Sequence, residues 1–183
     1  MLHKPDLKEN LFFLFSGMVI SVPFPFLVEN VTAYFFSTRL PPTIADIILV
    51  ALIAPVFEEF AKAYPLFYRH SETERSLFKM GLLTGLGFGI AEMLFYVIGA
   101  GVPILARLPA LIFHATNTSI VGYGVAKKKD FAFYSIAVGL HFLNNISAMF
   151  GMAWVFIGIP ATLASYFLSI YLYNKTTERV KSF

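Results

Sequence analysis

The sequence predicts an all-α, polytopic membrane protein: a bundle of about six transmembrane helices with both termini cytoplasmic. Three observations carry this. Apolar residues make up 57% of the 183-residue chain and charged residues 14%, against roughly 45–50% and about 25% in soluble domains. Six mostly apolar stretches can be drawn, each of the roughly 20 residues that a membrane-crossing helix needs. The basic residues sort to one side of them. Lys4, Lys8, Arg69, Arg75, Lys79, Lys127, Lys128, Lys129, Lys175, Arg179 and Lys181 fall on the inner side and only Arg39 on the outer, the positive-inside asymmetry. The composition excludes a disordered chain and argues against a soluble enzyme. With no Cys, disulfides, thiolate nucleophiles and Cys-ligated zinc are excluded as well. A net charge of +3 that is placed by topology gives no reason to expect nucleic acid as a partner.

The stretches run from about 11–36, 43–68, 77–99, 103–126, 131–150 and 152–173. Pro23 and Pro25 interrupt the first, which reads as a kinked span or as a span plus an interfacial piece. A cleaved signal sequence there lacks a convincing A-x-A-like site. The last two are divided only at Gly151, so that turn is tight. Outer loops are short and no repeat is visible, so the expectation is one transmembrane domain over 1–183, with function inside the bundle.

Five formally charged residues fall well inside the regular spans: Glu58, Glu59, Lys62, Glu92 and Arg107. His114 and His141 join them. Glu29 follows the Pro break and reads as interfacial. A charge at a helix centre costs about 2.5–3.5 kcal/mol on the insertion scale, so such residues face a bundle interior or a water-filled cavity. At about 1.5 Å per residue, four helices deliver polar groups between the midplane and the outer third. Lys62 lies within reach of both Glu58 and Glu59. Arg107 and His114 share a face, continued by Asn117. His141 is followed one turn later by Asn144 and Asn145. Gly81, Gly85 and Gly89 form a small-residue stripe for close packing, extended by Glu92 and Tyr96. Arg107, four residues after Pro103, fits either the site or an interfacial position. Pro55 leaves the Ala51 carbonyl without its helical donor, which favours local widening just before the Glu pair.

Several chemistries are excluded. Asp6, Asp46 and Asp130 all lie at span ends or in loops, so there is no intramembrane Asp pair. No Gly-x-Ser and no His-Glu-x-x-His motif occurs. Carboxylates and imidazoles remain. Two adjacent Glu do not ionise together easily, and Lys62 would hold one as the carboxylate, which gives a base and a potential acid. A His–Asn pair can support an oxyanion. Alternatively His114, His141 and one Glu, with Glu92 a candidate, form the three N/O ligands of a catalytic zinc site. Spacing alone does not choose between these.

Glu58-Glu59-Phe60-Ala61-Lys62 reads as E-E-x-x-K, Phe88 to Glu92 as F-x-x-x-E within a Gly-rich stretch, and His141 to Asn145 as H-x-x-x-N, with His114 on the span between. In order, spacing and helix placement these motifs resemble the PrsW family of intramembrane proteases, related to the CAAX prenyl endopeptidases and the scaffold subunit of gamma-secretase. The resemblance covers about 43–150. It implies an intramembrane endopeptidase in the prokaryotic cytoplasmic membrane that acts on a membrane-anchored protein; family members are associated with cutting a single-pass anti-sigma factor. Carried over, Glu58 and Glu59 would be the water-activating pair, Glu92, His114 and His141 would complete the site, and Asn145 would support the oxyanion. Lys62, Arg107, Tyr96 and Asn117 would assist. The family is often described as metal-dependent, whereas the related CAAX enzymes resemble glutamate-dependent proteases without an obligatory metal. The metal-free route is the first expectation, zinc the second. Two other classes fit intramembrane Glu and His: a non-catalytic scaffold subunit, and a proton- or ion-coupled transporter.

Overall fold

The computed structural model describes residues 5–20, 22–68 and 73–178. Lys4, Arg69, Arg179 and Lys181, part of the charge asymmetry, lie outside them. All regular elements among the described residues are helical.

Helix α1 (Leu7–Val19) opens on a capping box in which Asp6 Oδ1 accepts from the Glu9 amide at 2.8 Å and the Glu9 carboxylate accepts from the Asp6 amide. Helix α2 (Pro23–Ser37) begins at the first of the two prolines. A proline ring cannot continue a preceding helical ladder, so the first apolar stretch divides into helices of 13 and 15 residues. At about 1.5 Å per residue each falls short of the roughly 30 Å hydrocarbon core.

The second stretch is broken in another way. It passes through α3 (Pro42–Asp46), a π-helical segment (Ile47–Ile53), α4 (Ala54–Ala63) and a 3-10 turn (Tyr64–Tyr68). The π segment ends just before Pro55, where the missing donor to Ala51 was expected to widen the helix. Helix α5 (Glu74–Leu94) runs into a second π turn, Phe95–Gly99. Helices α6 (Ile104–Ala126) and α7 (Asp130–Ala148) follow; a third π turn (Trp154–Gly158) leads into α8 (Ile159–Asn174), again just ahead of a proline, Pro160. Three helical runs, Glu74–Gly99, Ile104–Ala126 and Trp154–Asn174, are long and apolar enough to cross a membrane. The prolines account for the difference in the first two expected spans, which are segmented helices rather than single rods.

Helix α6 is central, with nearly every residue from Phe113 to Ala126 buried. Its main partner is α5, and α7 and α8 also pack on it. The glycine stripe sets the α5–α6 approach: a Cβ on Gly85 would collide with the His114 carbonyl, and one on Gly81 would come within 2.7 Å of the Thr118 carbonyl. Hydroxyls and an amide bind the other faces of α6. Thr116 meets Ser165 at 3.0 Å and Ser119 meets Ser169 at 2.7 Å, both on α8, while Asn117 donates to the Ala137 carbonyl of α7 at 2.9 Å. At one end of the bundle, Glu74 accepts from Lys127 after α6 (2.7 Å) and from the Thr177 amide after α8 (3.0 Å).

Candidate active site

Helix α4 places Glu58, Glu59 and Lys62 within one turn, and α7 fastens both sides of Pro55. The Tyr134 hydroxyl donates to the Val56 carbonyl at 2.7 Å, and Asn145 Nδ2 donates to the Val50 carbonyl inside the π segment at 2.9 Å. The backbone that carries the Glu pair is therefore held from the helix that carries His141.

The two glutamates are not equivalent. Glu59 is wholly buried; its Oε1 accepts from Lys62 Nζ at 2.8 Å and contacts His141 Nδ1 at 2.8 Å. Glu58 turns toward a cavity of about 730 Å³. Its Oε2 lies 3.4 Å from Lys62 Nζ and 3.7 Å from His141 Nε2, yet is buried without a hydrogen-bond partner. Lys62, also fully buried, reaches His114 Nδ1 at 3.0 Å and lies 4.1 Å above the Phe88 ring. His114 Nε2 meets Glu92 Oε2 at 2.9 Å, and the same oxygen pairs with Arg107 at 2.7 Å. The Arg107 guanidinium stacks 4.2 Å from the Tyr96 ring centroid. A continuous polar chain thus runs from Tyr96 and Arg107 through Glu92, His114, Lys62 and Glu59 to His141. The imidazoles pack edge to face, with centroids 5.3 Å apart.

All six residues read from the sequence as catalytic come into this region. Glu58, Glu92, His114, His141 and Asn145 line the cavity, and Glu59 stands behind it. Arg107 joins the site by its pair with Glu92. Asn117 does not reach the cavity; its amide is used between α6 and α7. Glu29, read as interfacial, lines the same cavity from α2. The signal for it was there, a carboxylate in an apolar stretch one helical turn beyond a Pro break.

The closest set of potential metal ligands among the described residues is Glu58, His114 and His141, whose ligand atoms all lie within 4.8 Å of one another. Glu58 takes the place expected of Glu92, which is occupied by Arg107 and His114. One carboxylate and two imidazoles suit a catalytic zinc ion. Three further observations fit a cation there. Glu58 Oε2 is orphaned. Glu59 orients the far nitrogen of His141, as outer carboxylates orient metal-binding imidazoles. Three carboxylates (Glu58, Glu59 and Glu92) face two fixed cations (Lys62 and Arg107), and an excess of negative charge in a low-dielectric site favours a counter-charge. Both ring nitrogens of His114 are engaged, by Lys62 and Glu92, so ligation by His114 exchanges one of these contacts.

Carboxylates, imidazoles and a lysine are gathered around one cavity inside an apolar helical bundle. A family model described as PrsW family intramembrane metalloprotease matches residues 7–173, and the chain belongs to that family. It is an intramembrane protease and an integral membrane protein. No curated protein and no solved structure matches the chain.

Proposed function

We propose that this protein cleaves a peptide bond of a membrane-anchored protein with a water activated by Glu58. The chain acts as one membrane domain with six crossings and both termini cytoplasmic. The observation that carries the reading is Glu58 Oε2, buried without a hydrogen-bond partner and facing a cavity that it shares with His141, His114 and Glu92.

Glu58 accepts a proton from water as the water oxygen adds to the substrate carbonyl carbon. Lys62 Nζ, 3.4 Å from Glu58 Oε2, orients that carboxylate toward the cavity, where it acts as the base. Arg107 and the remaining Asn145 N–H donate to the oxygen as it gains negative charge. The tetrahedral intermediate collapses, the C–N bond breaks, and Glu58 returns its proton to the leaving amine. Glu59 touches none of the reacting atoms in this scheme. It is a positioning residue that neutralises Lys62 and fixes the His141 ring. A divalent metal held by Glu58, His114 and His141 would supply a Lewis acid and a more acidic water.

The test is cleavage of a membrane-anchored peptide by the chain reconstituted in nanodiscs. Glu58→Gln is expected to lower cleavage about 10²–10⁴-fold, the usual contribution of a general base; unchanged cleavage overturns the assignment. Elemental analysis of the same preparation separates the two routes. One metal per chain, lost in His141→Gln, supports the metal route, and full activity of metal-free protein supports the glutamate route.

A further inference from the structure

Beside the catalytic cavity lies a second hollow, an apolar groove of about 590 Å³ between α6 and the start of α8, lined by Leu105, Leu108, Ile112, Ile159 and Leu163 among others. These side chains are exposed, Leu105 by 74% and Leu163 by 48%, on helices apolar enough to cross a membrane, so the groove faces lipid. It is continuous with the catalytic cavity: Pro109, Trp154 and Thr162 line both.

We infer that this groove is the lateral entrance for the substrate, that its occupant is an unwound apolar transmembrane segment of the membrane-anchored protein, and that Trp154 is the gate. The inference rests on the protease reading above and names the route by which the peptide bond reaches Glu58.

Three observations support it. A peptide bond inside a helix is closed to attack, so the segment must unwind, and unwound backbone in lipid requires hydrogen-bond partners. Pro109 lies inside α6 and has no N–H to give the Leu105 carbonyl one turn earlier, which provides a backbone acceptor in the groove wall. Thr162 presents a hydroxyl at the junction, its proton directed to the Gly158 carbonyl at 3.0 Å, leaving the oxygen to accept. Trp154 sits in the π turn ahead of Pro160, and π turns are common at functional sites. Its ring lies against Gly158 so closely that a Cβ there would collide with it and would come within 2.6 Å of Ser147 Oγ. The ring at the junction is thus held by packing on a residue without a side chain, with no hydrogen bond from its indole N–H among the described residues.

Trp154 is the only tryptophan in the chain, so its fluorescence reports on the junction directly. The full chain is placed in nanodiscs with a Trp-free transmembrane peptide carrying a nitroxide either at its centre or at one end. The centre-labelled peptide is expected to quench Trp154 saturably and more strongly than the end-labelled one. Filling the groove by Ile112→Phe should raise the half-saturation concentration about tenfold, a loss of ~1.4 kcal/mol in affinity. Equal quenching by both labels, or quenching by bromo-acyl lipid that the peptide does not relieve, assigns the groove to lipid and overturns the inference. The measurement is repeated in Glu58→Gln, where binding should persist without cleavage. Failure of the catalytic reading and failure of the entrance are therefore separate outcomes.

Discussion

Helix α6 carries two kinds of buried polar chemistry on different parts of its surface. Toward α8 it presents Thr116 and Ser119, which are neutral and matched with Ser165 and Ser169. Toward α4 and the cavity it presents His114, together with Arg107 further out, in a network of formal charges that leaves carboxylate oxygens of Glu58 and Glu59 without partners. Both regions place polar groups where water is scarce. The first is satisfied by its own bonds and does what interhelical hydrogen bonds do in membranes, at roughly 0.6 kcal/mol each. The second is more costly to form and leaves two carboxylate oxygens without a hydrogen bond. The closed interface does the work of glue; the open one is where the proposed chemistry is placed.

Mutations can break or sharpen this contrast. The largest effect is expected for Glu59→Gln. Removing a fully buried carboxylate leaves Lys62 only its longer, 3.4 Å contact with Glu58, and breaking a buried pair typically costs about 3–5 kcal/mol. Thermal unfolding in nanodiscs should show a large loss of stability together with loss of cleavage. Glu58→Gln should lose cleavage and keep its unfolding temperature, because Glu58 borders the cavity and has less to hold. Equal stability losses in the two variants would erase the distinction between a reacting and a positioning glutamate.

An intermediate effect is expected for Gly85→Ala. The added methyl meets the His114 carbonyl, and overpacking of this kind costs about 1–3 kcal/mol. Because the displaced residue belongs to the site, cleavage should fall more than stability does. The smallest effect belongs to the neutral region. Ser165→Ala should cost about 0.6 kcal/mol, the average for such membrane contacts, and leave cleavage unchanged. A strong activity defect there would show that the glue and the site are coupled.

Much of the site was legible in the sequence because lipid makes polar residues conspicuous. Glu58, Lys62, Glu92, His114 and His141 stand out against apolar runs, and helical spacing assigns Lys62 to both glutamates, as found. The glycine stripe was legible for the same reason, since only close backbones need Gly every fourth residue. What spacing did not reveal depends on backbone irregularity. The π segment before Pro55 shifts the helical register ahead of α4, so spacing counted along the stretch did not say which of the adjacent Glu58 and Glu59 is buried. Glu29 enters the cavity because α2 is a separate helix that packs against α4, and a continuous first span would have hidden this. Asn117 shares a face with His114 by spacing, yet its amide finds a carbonyl of α7 before it can reach the cavity.

The junction at Glu74 bears on how the protein is made. One carboxylate, 3% exposed, binds the end of α6 and the chain just past α8. Its partner Thr177 is synthesised 103 residues later. The α5–α6 pair, whose members are adjacent in sequence, can form as soon as both helices have left the ribosome, whereas this latch closes only after α8 has inserted. Glu74 thus joins two contacts of different age, one to Lys127 available once α6 is made and one to Thr177 available only once α8 is made.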